Sequence, residues 1–299
     1  MAHNNHVLDG INKDFPFQWS TAQEAKEYYL DLAKDWEDPY GPAIVKEHEG
    51  VRVVRDDLTT GSKVRGGDCL ISSLPKDAGI DTIVYVQPRT GLAGVSILDC
   101  ASRHGFKTKL FMPSSKRISP HQAACIERGA EYEFHRIAAM PNLNKIAKDW
   151  AAENPNTFFV PLGLKHPVVT AGLVKTASQI EEPEEVYVAT STGVLTRSLQ
   201  IAWPNAKFTS VCVARNMKEG ELGRAEPVSH PYPFLKSEDK DQLPPFPCID
   251  TYDGKVWRYI PKNTGRNVLM WNVGKEPVVN DETIYDRVDS YREWPKKNA

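Results

Sequence analysis

Four short stretches carry residue types that could do chemistry. In "RDDLTTGSKVRGG" (Arg55–Gly67) a single lysine, Lys63, lies among small residues and beside Arg65. Such a lysine is either a solvated surface charge or, if desolvated, a nucleophilic amine. In "VYVATSTGVLTRS" a strand-like run is followed by Thr190, Ser191, Thr192 and Gly193, then by a helical pattern. Backbone amides, hydroxyls and a helix N-terminus together suit a phosphate group. The same residues also serve as a plain N-cap. The stretch lacks the lysine of GxxxxGK[ST] and the spacing of GxGxxG.

A second turn of this kind is "VQPRTGLAG" (Val86–Gly94), with Arg89, Thr90 and Gly91. Arg89 could grip a carboxylate or phosphate with two parallel bonds, or stay at the surface. The glycines could equally form a turn capped by Thr90. The fourth stretch is "IDTYDGKVW" (Ile249–Trp257), where Tyr252 and Asp253 precede Gly254. An aspartate before glycine is a common turn residue. No cysteine or histidine spacing suggests a metal site: the five cysteines are scattered without a CxxC pair, which also argues against a disulfide framework.

These stretches must be positioned by the elements around them. Strand-like runs rich in Val, Ile and aromatics alternate with helical segments that end at glycine. "TIVYVQ" is followed by "GVSILDCASRHG", "KTKLFMP" by "SPHQAACIERG", "EYEFHRI" by "NLNKIAKDWAAEN", and "TFFVPLG" by "HPVVTAGLVKTASQI". "EVYVAT", "VLTRSLQIAW" and "KFTSVCVA" continue the alternation. Successive βαβ units imply an α/β architecture with parallel sheets flanked by helices. Both glycine turns then fall at strand C-termini, the edge where open α/β sheets bind ligands. The proline- and charge-rich segment Glu219–Pro247 reads as a long loop or lid.

The 299 residues are 40% hydrophobic and 25% charged, enough for one large or two moderate domains. A formal net charge of −2 gives no support to capture of nucleic acid, although a nucleic-acid-linked substrate stays open. No apolar run approaches membrane-helix length, and the N-terminus lacks the pattern of a signal peptide. The expected setting is the cytoplasm, with no membrane partner.

In order and content five stretches of the chain resemble the pyridoxal 5′-phosphate (PLP) enzymes of fold type II, the tryptophan synthase β-like family. The branch most similar is that of 1-aminocyclopropane-1-carboxylate deaminase and D-cysteine desulfhydrase. "RDDLTTGSKVRGG" is similar to its "RDDL…GGNKxRK" segment, and "GSKVRGG" to the "GSFKxRGA" of threonine dehydratases. "KLFMPSSKRISPHQAACIERGAEY" is similar to the family's strand, "MP" and "K…GAE" run. "VYVATSTGVL" stands at the phosphate loop, "IDTYDGKVW" at "DPVYxGK", and "VLMWNVGK" at "HTGG". The similarity spans roughly Pro42 to Gly274.

The resemblance implies two domains, residues 1–62 with 182–299 forming the larger and 63–181 the smaller, and a homodimer. It implies PLP as cofactor, held covalently by Lys63, with Thr190, Ser191, Thr192 and Gly193 on its phosphate and Asp253 facing the ring nitrogen. Lys63 would also be the base at the substrate α-carbon, its pKa lowered by desolvation and by the Arg65 charge. Tyr252 would lie near the ring, and Arg89, Thr90, Gly91 and Asn272 near the substrate. The implied activity is lyase or deaminase chemistry on an amino acid or amino-acid-bearing compound, through a carbanion. Two departures leave alternatives. The branch's "SNHT" carboxylate loop is replaced by "PRTGLAG", where either Thr90 or Ala93 takes the threonine place, and "HTGG" is replaced by "NVGK". A substrate held differently would lose CO2, which makes a decarboxylase of a larger substrate such as a modified nucleotide the alternative. A non-catalytic protein that keeps the fold is the third reading.

Overall fold

The computed structural model describes residues 21–136, 139–215, 217–218 and 220–291. The N-terminal twenty residues, expected to lack a signal peptide, lie outside them. The chain forms two compact units. One comprises the chain up to Leu70 together with Lys165–Glu276; the other comprises Ile71–Leu164 and the residues from Pro277 onward.

The first unit begins with helix α1 (Ala22–Leu32), capped by the Thr21 side chain on the Glu24 amide. Strands β1 (Val45–His48) and β2 (Val51–Arg55) follow as an antiparallel hairpin. Its two-residue loop, Glu49–Gly50, has positive φ at both positions (51° and 73°), the backbone of the tight turns that match strand twist. Helix α2 (Lys63–Ser72) starts at the lysine singled out above. The second unit then supplies β3 (Thr82–Val86), α3 (Ala93–Arg103), β4 (Lys107–Pro113), α4 (Pro120–Glu127), β5 (Glu131–His135), α5 (Met140–Glu153) and β6 (Thr157–Phe159). The chain returns to the first unit with α6 (Pro167–Ala177), β7 (Glu185–Thr190), α7 (Val194–Ala202), β8 (Lys207–Cys212), β9 (Glu226–Ser229) and β10 (Val268–Asn272). A short helix, α8 (Ile284–Arg287), belongs to the second unit.

The alternation read from the sequence therefore holds from β3 to β8. The sheet of the second unit has the order β5-β4-β3-β6 and is parallel throughout. All five residues of β3 are buried, as expected for a parallel strand covered on both faces. Val84, Val86 and Phe111 meet Leu143, Ala147 and Ala151 of α5 in its core. The sheet of the first unit has the order β1-β2-β10-β7-β8-β9. It is mixed rather than wholly parallel, because the Glu49–Gly50 turn folds β1 back on β2; the other pairings are parallel.

Helix α2 lies against α6 at close range. A Cβ added to Gly66 would come within 2.7 Å of the Val169 carbonyl oxygen, and one on Gly172 within 2.8 Å of Cys69 Cβ. This contact joins the Lys63 helix to the first unit, as well as residues 165–177. The units divide after Leu70 and after Leu164, later along the chain than the sequence-based 62/63 boundary and earlier than the sequence-based 181/182 boundary. Helix α2 is anchored again by Arg65, which pairs with Asp38 and, at 3.1 Å, with Asp56; Asp56 also takes the Trp271 indole N–H at 2.8 Å. Asp56 and Trp271 are fully buried, so this polar cluster fixes one arrangement of α2 on β10.

Candidate active site

Strands β2, β10 and β7 run parallel, and their C-terminal ends are Arg55, Asn272 and Thr190. The segments leaving this edge carry Lys63, Tyr252, Asp253, Asn272 and the turn Thr190–Gly193.

Lys63 is the first residue of α2. Its pKa falls to about 8 because burial strips water from the ammonium. The positive end of the helix dipole works in the same direction. The Arg65 charge, expected to contribute, does not: it is spent on Asp38 and Asp56. The preceding residue is held in place, since the Ser62 amide donates to the Val273 carbonyl at 2.8 Å.

Val273 is held in turn by Asp253. That carboxylate is fully buried and accepts from the amides of Ile249 (2.9 Å), Val273 (2.9 Å) and Gly274 (3.3 Å). Desolvation nonetheless pushes its pKa up to about 7, against the pull of these amides. Asp253 thus ties the turn before it to the end of β10. Tyr252 packs half-buried against the Val256–Trp257 cluster and reaches the Ala189 carbonyl at 3.4 Å. Burial raises its phenol well above the ordinary range, so it stays protonated at neutral pH.

Asn272 is fully buried at the end of β10. Its Nδ2 donates to Asp57 Oδ1 (2.8 Å) and the Pro247 carbonyl (2.9 Å), which settles the amide orientation because both neighbours are acceptors. Asp57 is itself clamped by Arg55 at 2.7 and 2.8 Å. Asn272 Oδ1 has no hydrogen-bond partner among the described residues.

In the turn after β7 the Thr190 hydroxyl is committed, 2.7 Å from Thr196 Oγ1 and 2.5 Å from Ser210 Oγ. Ser191 and Thr192 are half-buried. Gly193 caps α7 with φ +76°, and a Cβ there would fall 2.1 Å from the Glu221 carbonyl oxygen. Only glycine fits that place. Arg197, one helical turn further, supports this turn from beneath; the sequence reading missed it. The available signal was a charged residue four positions after the capping glycine in a helix that is otherwise uncharged.

Arg89, Thr90 and Gly91 belong to the second unit. Arg89 is exposed and donates to the Arg117 carbonyl at 3.3 Å. Their loop is closed internally by Gln87, which is fully buried and was also missed. Its Nε2 donates to the carbonyls of Pro88 (2.7 Å) and Gly91 (3.0 Å), while its Oε1 accepts the Gly94 amide at 2.7 Å. A glutamine closing a strand and filling an amide at the start of α3 is a long-side-chain effect with no short-range motif.

No family model and no curated protein matches the sequence. Solved structures do. The chain is similar to an ACC deaminase homologue at 16% identity and a TM-score of 0.65, over 82% of this chain and 94% of that one. Against the processed form of threonine deaminase isoform 2 from Solanum lycopersicum the values are 13% and 0.63, covering 88% and 87%. Against a pyridoxal 5′-phosphate-dependent aspartate racemase they are 14% and 0.59, covering 88% and 98%. At these identities the likeness establishes the fold, which is the fold type II architecture that the motifs led us to expect.

Proposed function

We propose that this chain is a PLP-dependent enzyme acting on an amino acid or an amino-acid-bearing compound, with lyase chemistry of the deaminase or desulfhydrase kind. The observation that carries the reading is Lys63: a desolvated amine brought to about 8, at the edge where three parallel strands end. Its place at the helix start and the bond of the preceding Ser62 amide to the Val273 carbonyl fix its backbone. A solvated surface lysine has neither feature.

The donors and acceptors suit the three reactive parts of the cofactor. Lys63 would take its aldehyde carbon, and the start of α7 with Ser191 and Thr192 its phosphate. Asp253 is the acid proposed for its ring nitrogen. Buried Asn272 Oδ1 and Arg197 Nε and Nη2, without hydrogen-bond partners among the described residues, are an acceptor and donors left for a ligand. When bound, the cofactor supplies an electron sink for the pair left on a substrate α-carbon.

The chain's own residues do the rest. A lysine titrating at about 8 is partly neutral at physiological pH, so it can act as a nucleophile and then receive a proton from the α-carbon. Asp253, brought to about 7 and fixed by three amides, can keep or yield a proton near neutrality. Tyr252 keeps its phenolic proton and is a donor. Arg89, Thr90 and Gly91 are proposed to meet the substrate carboxylate. A homodimer in the cytoplasm is the assembly we propose.

A second reading is favoured by Gln87. Its Oε1 already takes the Gly94 amide, so this loop offers a carboxylate one N–H fewer than an open one. A substrate gripped elsewhere would present a different bond for cleavage, and the reaction would be decarboxylation of an amino-acid moiety on a larger molecule, such as a modified nucleotide. Product analysis separates the two. Incubation of the PLP-treated protein with candidate substrates releases ammonia and a keto acid under the first reading, and CO2 with retained amine under the second. Turnover that is independent of PLP would contradict both.

A further inference from the structure

Arg197 is 2% exposed and lies one turn inside α7, beneath the Thr190–Gly193 turn. Its Nη1 donates to the Glu221 carbonyl at 2.5 Å and the Thr192 carbonyl at 3.3 Å. A Cβ on Gly193 would fall 2.4 Å from that nitrogen, so the guanidinium is pressed against the turn itself. Nε and Nη2 are buried and have no hydrogen-bond partner among the described residues.

No carboxylate hydrogen-bonds to Arg197 among the described residues. Glu221 hydrogen-bonds it only through its main-chain carbonyl, because its carboxylate oxygens are taken by Arg215 at 2.6 and 2.8 Å and by the Lys218 amide at 2.7 Å; the shared carboxylate acts on Arg197 only through space. Tyr29 also acts on Arg197, but burial holds that phenol protonated. Burial brings Arg197 down to about 10, which still leaves it charged at neutral pH. A cation buried with two idle donors is costly. Bracing two carbonyls needs only a neutral donor, so bracing does not account for the charge.

We propose that Arg197 is the built-in counter-charge for a phosphomonoester bound at the Ser191–Gly193 turn. The inference rests on the cofactor reading above and sharpens it: the site selects the phosphorylated form of its ligand through a fixed positive charge under the turn, in addition to the helix amides. Thr190 takes no direct part, since its hydroxyl is spent on Thr196 and Ser210.

The test compares pyridoxal 5′-phosphate with pyridoxal, which lacks the phosphate, by titrating purified wild-type, Arg197→Gln and Arg197→Lys proteins and following the visible absorbance. Inorganic phosphate is titrated in parallel by thermal shift. The expected result is a loss of PLP affinity of about ten- to a hundredfold in Arg197→Gln, the size expected for a charge-assisted contact. Pyridoxal affinity should be unchanged, Arg197→Lys should fall between, and phosphate should stabilise the wild type but not Arg197→Gln. Equal losses for both ligands, or no loss for either, would overturn the proposal. If Arg197→Gln does not fold, Arg197→Lys and the wild-type preference decide: a wild type that binds PLP no better than pyridoxal also overturns it. Phosphate stabilisation that depends on Arg197, without any visible band, would sink the cofactor reading while upholding the counter-charge.

Discussion

The Ser62 amide donates to the Val273 carbonyl across 2.8 Å, and through this bond the residue before Lys63 is fastened to the end of β10. The Val273 amide is in turn held by Asp253 at 2.9 Å. The amine and the acid singled out in the sequence are thus linked through one residue's main chain. Disturbing Asp253 disturbs the seat of Lys63.

That linkage yields the first prediction. Asp253→Ala leaves the amides of Ile249, Val273 and Gly274 without their acceptor. At about 1–3 kcal/mol for each buried unsatisfied donor, the loss of stability should be at least about 3 kcal/mol in urea denaturation. A variant as stable as the wild type would show that these bonds are dispensable.

A second prediction concerns pH. Lys63 has a folded pKa of about 8 against an ordinary value of 10.5. Between those values the unfolded chain holds a proton that the folded chain has lost, so this group makes stability rise with pH across that window and adds nothing to the slope well below 8. The same titration sets the neutral fraction of the amine. The rate of PLP capture should climb with pH and level off above about 8, and rapid-mixing absorbance measures it. A midpoint near 10.5 would mean that Lys63 is solvated.

For Gly193, any side chain must adopt φ +76° and displace the Glu221 carbonyl. Gly193→Ala should cost more than the roughly 1–2 kcal/mol of a left-handed residue alone, seen as a lower midpoint in thermal denaturation. Stability within experimental error of the wild type would contradict the packing described around the turn.

Much of this architecture is legible in the sequence, and the reason is local. The strands and helices from Thr82 to Cys212 alternate with periodicities and glycine stops that depend on near neighbours. The stretch before Lys63 is different. β2 reads "VRVVR", and its outer arginine is buried only because Asp57 clamps it, while β1 is short and half exposed. Charge therefore hid a strand that tertiary pairing stabilises. Site residues divide in the same way. Lys63, Asp253 and the Thr190–Gly193 turn are found by type and order. What Asp253 binds lies 20 residues away at Val273, and Arg197 meets Glu221 24 residues on, distances that no short motif records. The Arg65 charge was given a role beside Lys63 for want of Asp38 and Asp56, its partners in the fold.

Arg65 supplies a further prediction. It is 2% exposed, and Arg65→Met would leave the fully buried Asp56 without its cation. Breaking one side of such a pair costs about 3–5 kcal/mol. Equilibrium denaturation should register a loss of that order, and the double variant Arg65→Met with Asp56→Asn should recover part of it. A single variant that is neutral would show that the pair does not hold α2.

The central claim is that Lys63 is the amine that carries the cofactor, and the buried Lys255 makes a direct test available. Lys255 also titrates near 8, but its Nζ is engaged by the carbonyls of Pro233 at 3.0 Å and Phe234 at 3.3 Å. Incubating the protein with PLP, reducing with borohydride and mapping the labelled peptide by mass spectrometry distinguishes the two. The account predicts stoichiometric label on Lys63, abolished in Lys63→Ala; label on Lys255, label scattered over surface lysines, or no label would contradict it.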